Sequence, residues 1–162
     1  MTIQVGDTMP AGTFGVMGAD GPESLSSDEL FGGKTVVLFC VPGAFTPTCS
    51  ARHLPGFVEH ADALRERGAD EIACLAVNDV FVLSAWGKAG GADGKVVMLA
   101  DGNGEYARAL DLELDASGFG MGTRAQRFSM IVKDGVVTQL NIEPAAGEVG
   151  VSSADGVLDQ LG

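Results

Sequence analysis

Positive charge is scarce in this sequence. Its 162 residues include 10 Lys and Arg against 22 Asp and Glu, a formal net charge of −12. Such a surface repels phosphate backbones and anionic lipid, so neither nucleic acid nor a membrane is an expected partner. No apolar run approaches the ~18 residues that a membrane span needs. The opening MTIQVGDTMP has neither the basic nor the apolar stretch of a signal peptide, so a cytoplasmic location is expected. Cysteine is sparse and odd in number at three, which excludes a disulfide scaffold. Thiol chemistry, metal binding and inert core packing remain open to those residues. Internal repeats, low-complexity segments and linkers are absent as well, so residues 1–162 read as one domain.

What is present is a globular composition, 46% hydrophobic and 20% charged. The first 33 residues are weakly patterned, with a short strand expected near Thr13–Val16 and a short helix near Ser26–Leu30. The signal sharpens at Thr35–Val41, a continuous apolar, β-branched run typical of a strand buried on both faces. It ends at Pro42-Gly43. A helix is expected from Pro47 to Arg67, kinked at Pro55, which has no N–H to offer the carbonyl of Ala51. A second strand, Ile72–Val77, leads to Asn78-Asp79 as caps for a helix burying Phe81, Val82, Ala85 and Trp86. Val96–Leu99 reads as a third strand, and a short helix follows around Tyr106–Leu110. Glu113–Thr123 reads as a loop. Phe128–Val132 and Val136–Ile142 flank Asp134-Gly135, a strong hairpin signal. Ser152–Asp155 caps a last helix with Val157, Leu158 and Leu161 inward.

This order gives the α/β class: parallel strands joined by helices, then an antiparallel hairpin and a final helix. It predicts a thioredoxin-like fold with an N-terminal extension and inserted elements, its mixed central sheet flanked by helices. Open sheets of this kind place their chemistry at the carboxyl ends of strands, and the first strand–helix junction is Val41–Cys49. Helix-entry rules make Thr46 the N-cap, Pro47 the first helical residue and Cys49 the third. The first turn of a helix favours a thiolate over a thiol, and the thiolate is the nucleophile. Thr46 stands where a Cys-x-x-Cys motif would have its other cysteine, so one thiol must act alone or with a thiol from elsewhere.

The segment Pro42-Gly43-Ala44-Phe45-Thr46-Pro47-Thr48-Cys49-Ser50 resembles the active-site segment of the peroxiredoxins, specifically the type II, peroxiredoxin-5-like class. Ile3-x-Val5-Gly6-Asp7-x-x-Pro10 looks like that family's first strand. His53–Phe57, Glu71-Ile72, Val77-Asn78-Asp79 and Arg127-Phe128-Ser129-Met130 match it too, so the resemblance spans the chain. It implies a thiol-dependent peroxidase that reduces hydrogen peroxide and organic hydroperoxides through a cysteine sulfenic acid. Cys49 would be the peroxidatic cysteine. Thr46 would hold thiolate and peroxide, Pro42 would shape and dry the pocket, and Arg127 would stabilise the thiolate and polarise the peroxide. Glutathione with glutaredoxin, or thioredoxin, would supply the reducing thiol. No bound cofactor is implied, and a homodimer packed around the active-site loops is. Two other activities remain open: a monothiol disulfide or glutathionylation exchanger, and a peroxide sensor relaying oxidation to a partner or acting as a holdase.

The other cysteines differ in promise. Cys74 lies inside a buried strand, where cysteine usually packs, yet plant-like type II relatives carry a resolving cysteine at this spacing. Reaching Cys49 requires the helix start to unwind, because a disulfide needs Cα atoms within ~7 Å. Val151-Ser152-Ser153 occupies the region where animal-type relatives place their resolving cysteine, so that route is closed. Cys40 reads as core. Cys49 and His53 share a helix face, but no further ligands complete a metal site. His53 reads as a packed or interface histidine, Arg124 as a solvated edge charge, and Phe45, Phe81, Trp86, Phe119, Met121 and Phe128 as mostly core.

Overall fold

The computed structural model describes residues 1–161. Its strands are β1 (Thr13–Gly18), β2 (Gly21–Ser26), β3 (Thr35–Cys40), β4 (Glu71–Ala76), β5 (Val97–Ala100), β6 (Glu113–Asp115), β7 (Thr123–Ala125), β8 (Phe128–Lys133) and β9 (Val136–Ile142). Its helices are α1 (Ser27–Phe31), α2 (Leu54–Glu59), α3 (Ala61–Glu66), α4 (Val80–Ala89), α5 (Glu105–Leu110) and α6 (Ala154–Leu161), with a π-helical turn over Cys49–His53. Seven strands form one mixed sheet in the order β2-β1-β5-β4-β3-β8-β9. β3 pairs parallel with β4, and β4 with β5, while β8 runs antiparallel to β3. This is the expected thioredoxin-like α/β fold.

Alternation along the central strands divides the core. Val37, Phe39, Ile72, Cys74 and Ala76 face the side covered by α2, α3, α4 and α6. Val36, Leu38, Cys40, Ala73 and Leu75 face the side holding α5 and the N-terminal segment. A strand buried on both faces must be apolar at every position, which is why β3 and β4 stand out so clearly in the sequence.

Several local expectations need correction. β2 was not foreseen: GPESLS is too polar and half-exposed to show strand periodicity, and its pairing with β1 across residues 18–21 defines it. Residues 3–10 form no strand, although Thr8 makes an isolated bridge to Val136. The predicted loop at 113–123 carries β6, paired with β7, and a 3₁₀ turn at Ser117–Phe119. In α4, Asp79 caps the N-terminus by accepting from the Val82 N–H at 2.8 Å. Leu83, Trp86 and Gly87 face inward, and Phe81 is 63% exposed. A Cβ at Gly87 would lie 3.0 Å from Met98, so this glycine permits the close approach of α4 to β5. Phe45 and Phe119 are exposed as well, contrary to a core assignment.

Pro55 is accommodated by a change of helix type rather than by a kink. Residues 47–48 are helical, the π turn follows, and the Leu54 N–H reaches back five residues to the Cys49 carbonyl. The wider turn carries the chain across a position where the α-helical pattern would lack a donor. The interruption comes five residues later, at His60, whose backbone leaves the helical region between α2 and α3.

Candidate active site

The junction expected to carry the chemistry lies at the carboxyl end of β3. Gly43 begins a tight loop: a Cβ there would meet Met121 and Thr46 at 3.2 Å and the Arg124 guanidinium at 3.4 Å. Asn78 anchors this loop by accepting from the Ala44 N–H at 2.9 Å. Phe45 adopts φ 62°, a left-handed conformation costly for a bulky residue, immediately before Thr46. The Thr46 hydroxyl donates to the Gly43 carbonyl at 2.7 Å. With its proton so committed, the oxygen keeps lone pairs to accept a proton from a bound molecule. Ser50 accepts from Trp86 Nε1 at 2.9 Å, fixing the π turn against α4.

Cys49 is fully buried. Above it, Arg127 enters from the residue before β8, 2% exposed, and its three kinds of N–H point to three segments. Nη2 donates to Cys49 Sγ at 3.0 Å, Nη1 to His53 Nδ1 at 2.8 Å and Nε to the Ala146 carbonyl at 3.0 Å. A guanidinium has no lone pair to offer, so the contact at His53 fixes the tautomer: Nδ1 accepts, and Nε2 donates to the Ser152 carbonyl at 3.0 Å. Burial, reinforced by the neighbouring Arg127 charge and only partly offset by the bond to Ser152 and the Glu143 carboxylate, pulls the His53 imidazole down to about 4. The ring packs on Phe39 and Phe57, which are themselves stacked at 4.0 Å.

Pro42, Thr46 and Arg127 line one cleft of about 210 Å³, walled by the apolar residues Leu114, Phe119 and Met121. The structure thus gathers Cys49, Thr46, Pro42 and Arg127, which lie up to 85 positions apart in sequence (127 − 42). Cys74 is not at this cleft. It is buried in β4 opposite Phe39, and burial pushes its thiol well above the ordinary range; the same holds for Cys40 in β3. All three cysteines are free thiols.

Two residues gained roles that their sequence context did not reveal. His53 holds Arg127, and the only hint was its spacing four after Cys49. Arg124 is no solvated edge charge. It is half-buried and donates to the Met121 and Val77 carbonyls at 2.9 and 3.1 Å, tying the cleft wall to the loop after β4. Arg124 sits in polar sequence close to Arg127, and unlike Arg127, whose contact with Cys49 the family resemblance implied, it had nothing in its local pattern to mark its contacts.

A single cysteine thiol beneath a buried guanidinium, on a thioredoxin-like sheet, has the geometry to activate an electrophile and stands without the second cysteine of a Cys-x-x-Cys motif. The Redoxin family profile matches residues 4–158. Peroxiredoxin-2B of Arabidopsis thaliana is 48% identical over 160 residues, covering 98% of each chain. The crystal structure of reduced Prx3 from Vibrio vulnificus in complex with hydrogen peroxide superposes with a TM-score of 0.94 at 48% identity, covering 99% of this chain and 100% of that one. Peroxiredoxin 5 from Alvinella pompejana is similar at 34% identity, with a TM-score of 0.86 and 98% and 97% coverage. The chain belongs to the Redoxin family, within the peroxiredoxin superfamily of thiol-dependent peroxidases.

Proposed function

We propose that this peroxidase is of the type II, peroxiredoxin-5-like kind and that Cys49 is its peroxidatic cysteine. The contact carrying this reading is the 3.0 Å hydrogen bond from Arg127 Nη2 to Cys49 Sγ, at the edge of a cleft shared with Thr46 and Pro42. Cys49 as thiolate attacks one oxygen of the peroxide. The S–O bond forms as the O–O bond breaks, sulfur loses two electrons, and the departing oxygen leaves as hydroxide or alkoxide and takes up a proton. Arg127 stabilises negative charge on sulfur and on the departing oxygen. Thr46 accepts the hydrogen of the peroxide O–H and so aims the O–O bond at sulfur, while Pro42 closes one wall against water.

The sulfenic acid then condenses with an external thiol, releasing water and forming a mixed disulfide; a second thiol returns Cys49 to the thiol state. Glutathione with glutaredoxin, or thioredoxin, fits this step. Cys74 serves poorly as an internal resolver here, because burial in β4 disfavours its thiolate and keeps it from the cleft. Small peroxides and organic hydroperoxides fit the apolar cleft walls. Three exposed phenylalanines, Phe45, Phe81 and Phe119, suit a homodimer contact near the site, which sedimentation of the purified chain will test.

Stopped-flow mixing of reduced protein with hydrogen peroxide tests the activity: the second-order rate is expected to exceed that of free cysteine by orders of magnitude, and parity would refute the reading. Mass spectrometry after one equivalent of peroxide separates the cycles. A Cys49 sulfenic acid or glutathione adduct supports external resolution, and a Cys49–Cys74 disulfide refutes it.

A further inference from the structure

Between β9 and α6, residues 143–152 cross the active-site helix as a strap. Four of its carbonyls accept from side chains of the catalytic region: Ala146 from Arg127 Nε at 3.0 Å, Gly147 from Thr48 Oγ1 at 3.3 Å, Val149 from Arg52 Nη2 at 3.2 Å and Ser152 from His53 Nε2 at 3.0 Å. A segment that offers only backbone acceptors positions those side chains only as well as it is itself held.

The strap is held by a buried carboxylate that the peroxidase mechanism does not use. Glu143 is 6% exposed. Its Oε2 accepts from the Gly150 N–H at 2.8 Å, the Ser152 N–H at 2.7 Å and the Ser152 hydroxyl. Its own N–H donates to the Arg127 carbonyl at 3.0 Å. Burial alone would push this carboxyl up, but the hydrogen bonds from Ser152 and Gly150 outweigh it and hold it below its ordinary value. One carboxylate thereby fixes both ends of the strap, and with it the acceptors for Arg127 Nε and for His53.

We propose that Glu143 is a positioning residue for the peroxide-reducing site. It sets the Ser152 carbonyl, which holds His53 in the Nε2–H tautomer, and the bare Nδ1 of that ring then aims the Arg127 guanidinium at Cys49. This rests on the peroxidase reading only for its effect on rate; the tautomer of His53 follows from the wiring alone. The carboxylate is required because all three donors converge on one oxygen. An amide in its place supplies a weaker acceptor and introduces N–H groups against other donors.

Two measurements on the reduced full-length chain test this. Nitrogen-15 NMR of the His53 ring is expected to show a single Nε2–H tautomer in the wild type and a mixture in Glu143→Gln. The peroxide rate of that variant is expected to fall about tenfold, within the roughly hundredfold that misplacing a catalytic group by about 1 Å can cost. In an Arg127→Lys background, Glu143→Gln is expected to change the rate less than twofold, since the route ends at the guanidinium. Folded Glu143→Gln with a single wild-type tautomer and an unchanged rate would overturn the proposal; a tenfold loss persisting beside Arg127→Lys would do so too. Should Glu143→Gln fail to fold, the milder Ser152→Ala, which deletes one of the three bonds, decides. It is expected to slow the reaction about threefold with partial tautomer mixing, and wild-type behaviour in both respects overturns the proposal. A slow wild-type enzyme would instead remove the peroxidase reading and leave the tautomer measurement to decide the wiring.

Discussion

The buried imidazole of His53 makes the protein sensitive to mild acid. Unfolded, this histidine titrates at its ordinary value of 6.5, and in the folded chain burial pulls it down to about 4. Between those values the unfolded state binds more protons than the folded state, so the equilibrium shifts toward unfolding as pH falls. The stabilisation is complete above pH 6.5, declines through the interval and is exhausted near pH 4. At about 1.4 kcal/mol per pH unit, the whole gap is on the order of 3 kcal/mol, and the loss between pH 7 and pH 5 is about 2 kcal/mol. The depressed Glu143 carboxyl acts in the same direction but only below about pH 4.5, so the range from 6.5 to 5 isolates His53. Urea unfolding at pH 7, 6 and 5 measures the effect. His53→Gln keeps an acceptor for Arg127 and a donor for Ser152 and is expected to flatten the pH dependence. An equal acid loss in His53→Gln and the wild type would refute the reasoning, as would constant wild-type stability down to pH 5.

Three substitutions at the cleft have separate signatures. Cys49→Ser should abolish peroxide turnover while the protein stays folded, and appreciable turnover in stopped flow would move the nucleophile elsewhere. Arg127→Gln removes the positive charge 3.0 Å from sulfur and should slow the peroxide reaction at least a hundredfold in stopped flow; a wild-type rate would separate the arginine from the chemistry at sulfur. Thr46→Val deletes the bond to the Gly43 carbonyl and the acceptor facing the cleft, so a rate loss of tenfold or more is expected with only ~1 kcal/mol lost in urea unfolding. A wild-type rate would reduce Thr46 to a residue that only holds the loop after β3.

How far the sequence could be read depended on the range of each interaction. β3, β4 and the hairpin of β8 and β9 were legible because burial on both faces and the Asp134-Gly135 turn leave local marks. Cys49 was legible for the same reason: strand, turn, cap and helix start lie within nine residues. β2 and β6 were not, since short polar strands exist through their partners. The exposed faces of Phe45, Phe81 and Phe119 were missed because hydrophobicity alone does not distinguish a core position from a cleft wall or contact surface. The wiring of Arg127 to His53 and the strap joins residues 74 and 19 positions apart, and no local pattern encodes it.

That wiring explains how a guanidinium can be buried beside the Cys49 thiol. An arginine removed from water is costly unless its donors are matched and its charge is balanced. Two of the three acceptors here are neutral, the Ala146 carbonyl and the His53 ring nitrogen, and they satisfy geometry without neutralising charge. The third is the Cys49 sulfur, among the described residues the only atom bonded to the guanidinium that can carry the balancing negative charge. A protonated His53 would break the arrangement twice, by withdrawing its acceptor and by adding a second cation beside Arg127. Hence the same burial that makes His53 an acid-labile element of the fold keeps it neutral at physiological pH, where its bare nitrogen leaves the arginine's charge for the Cys49 sulfur.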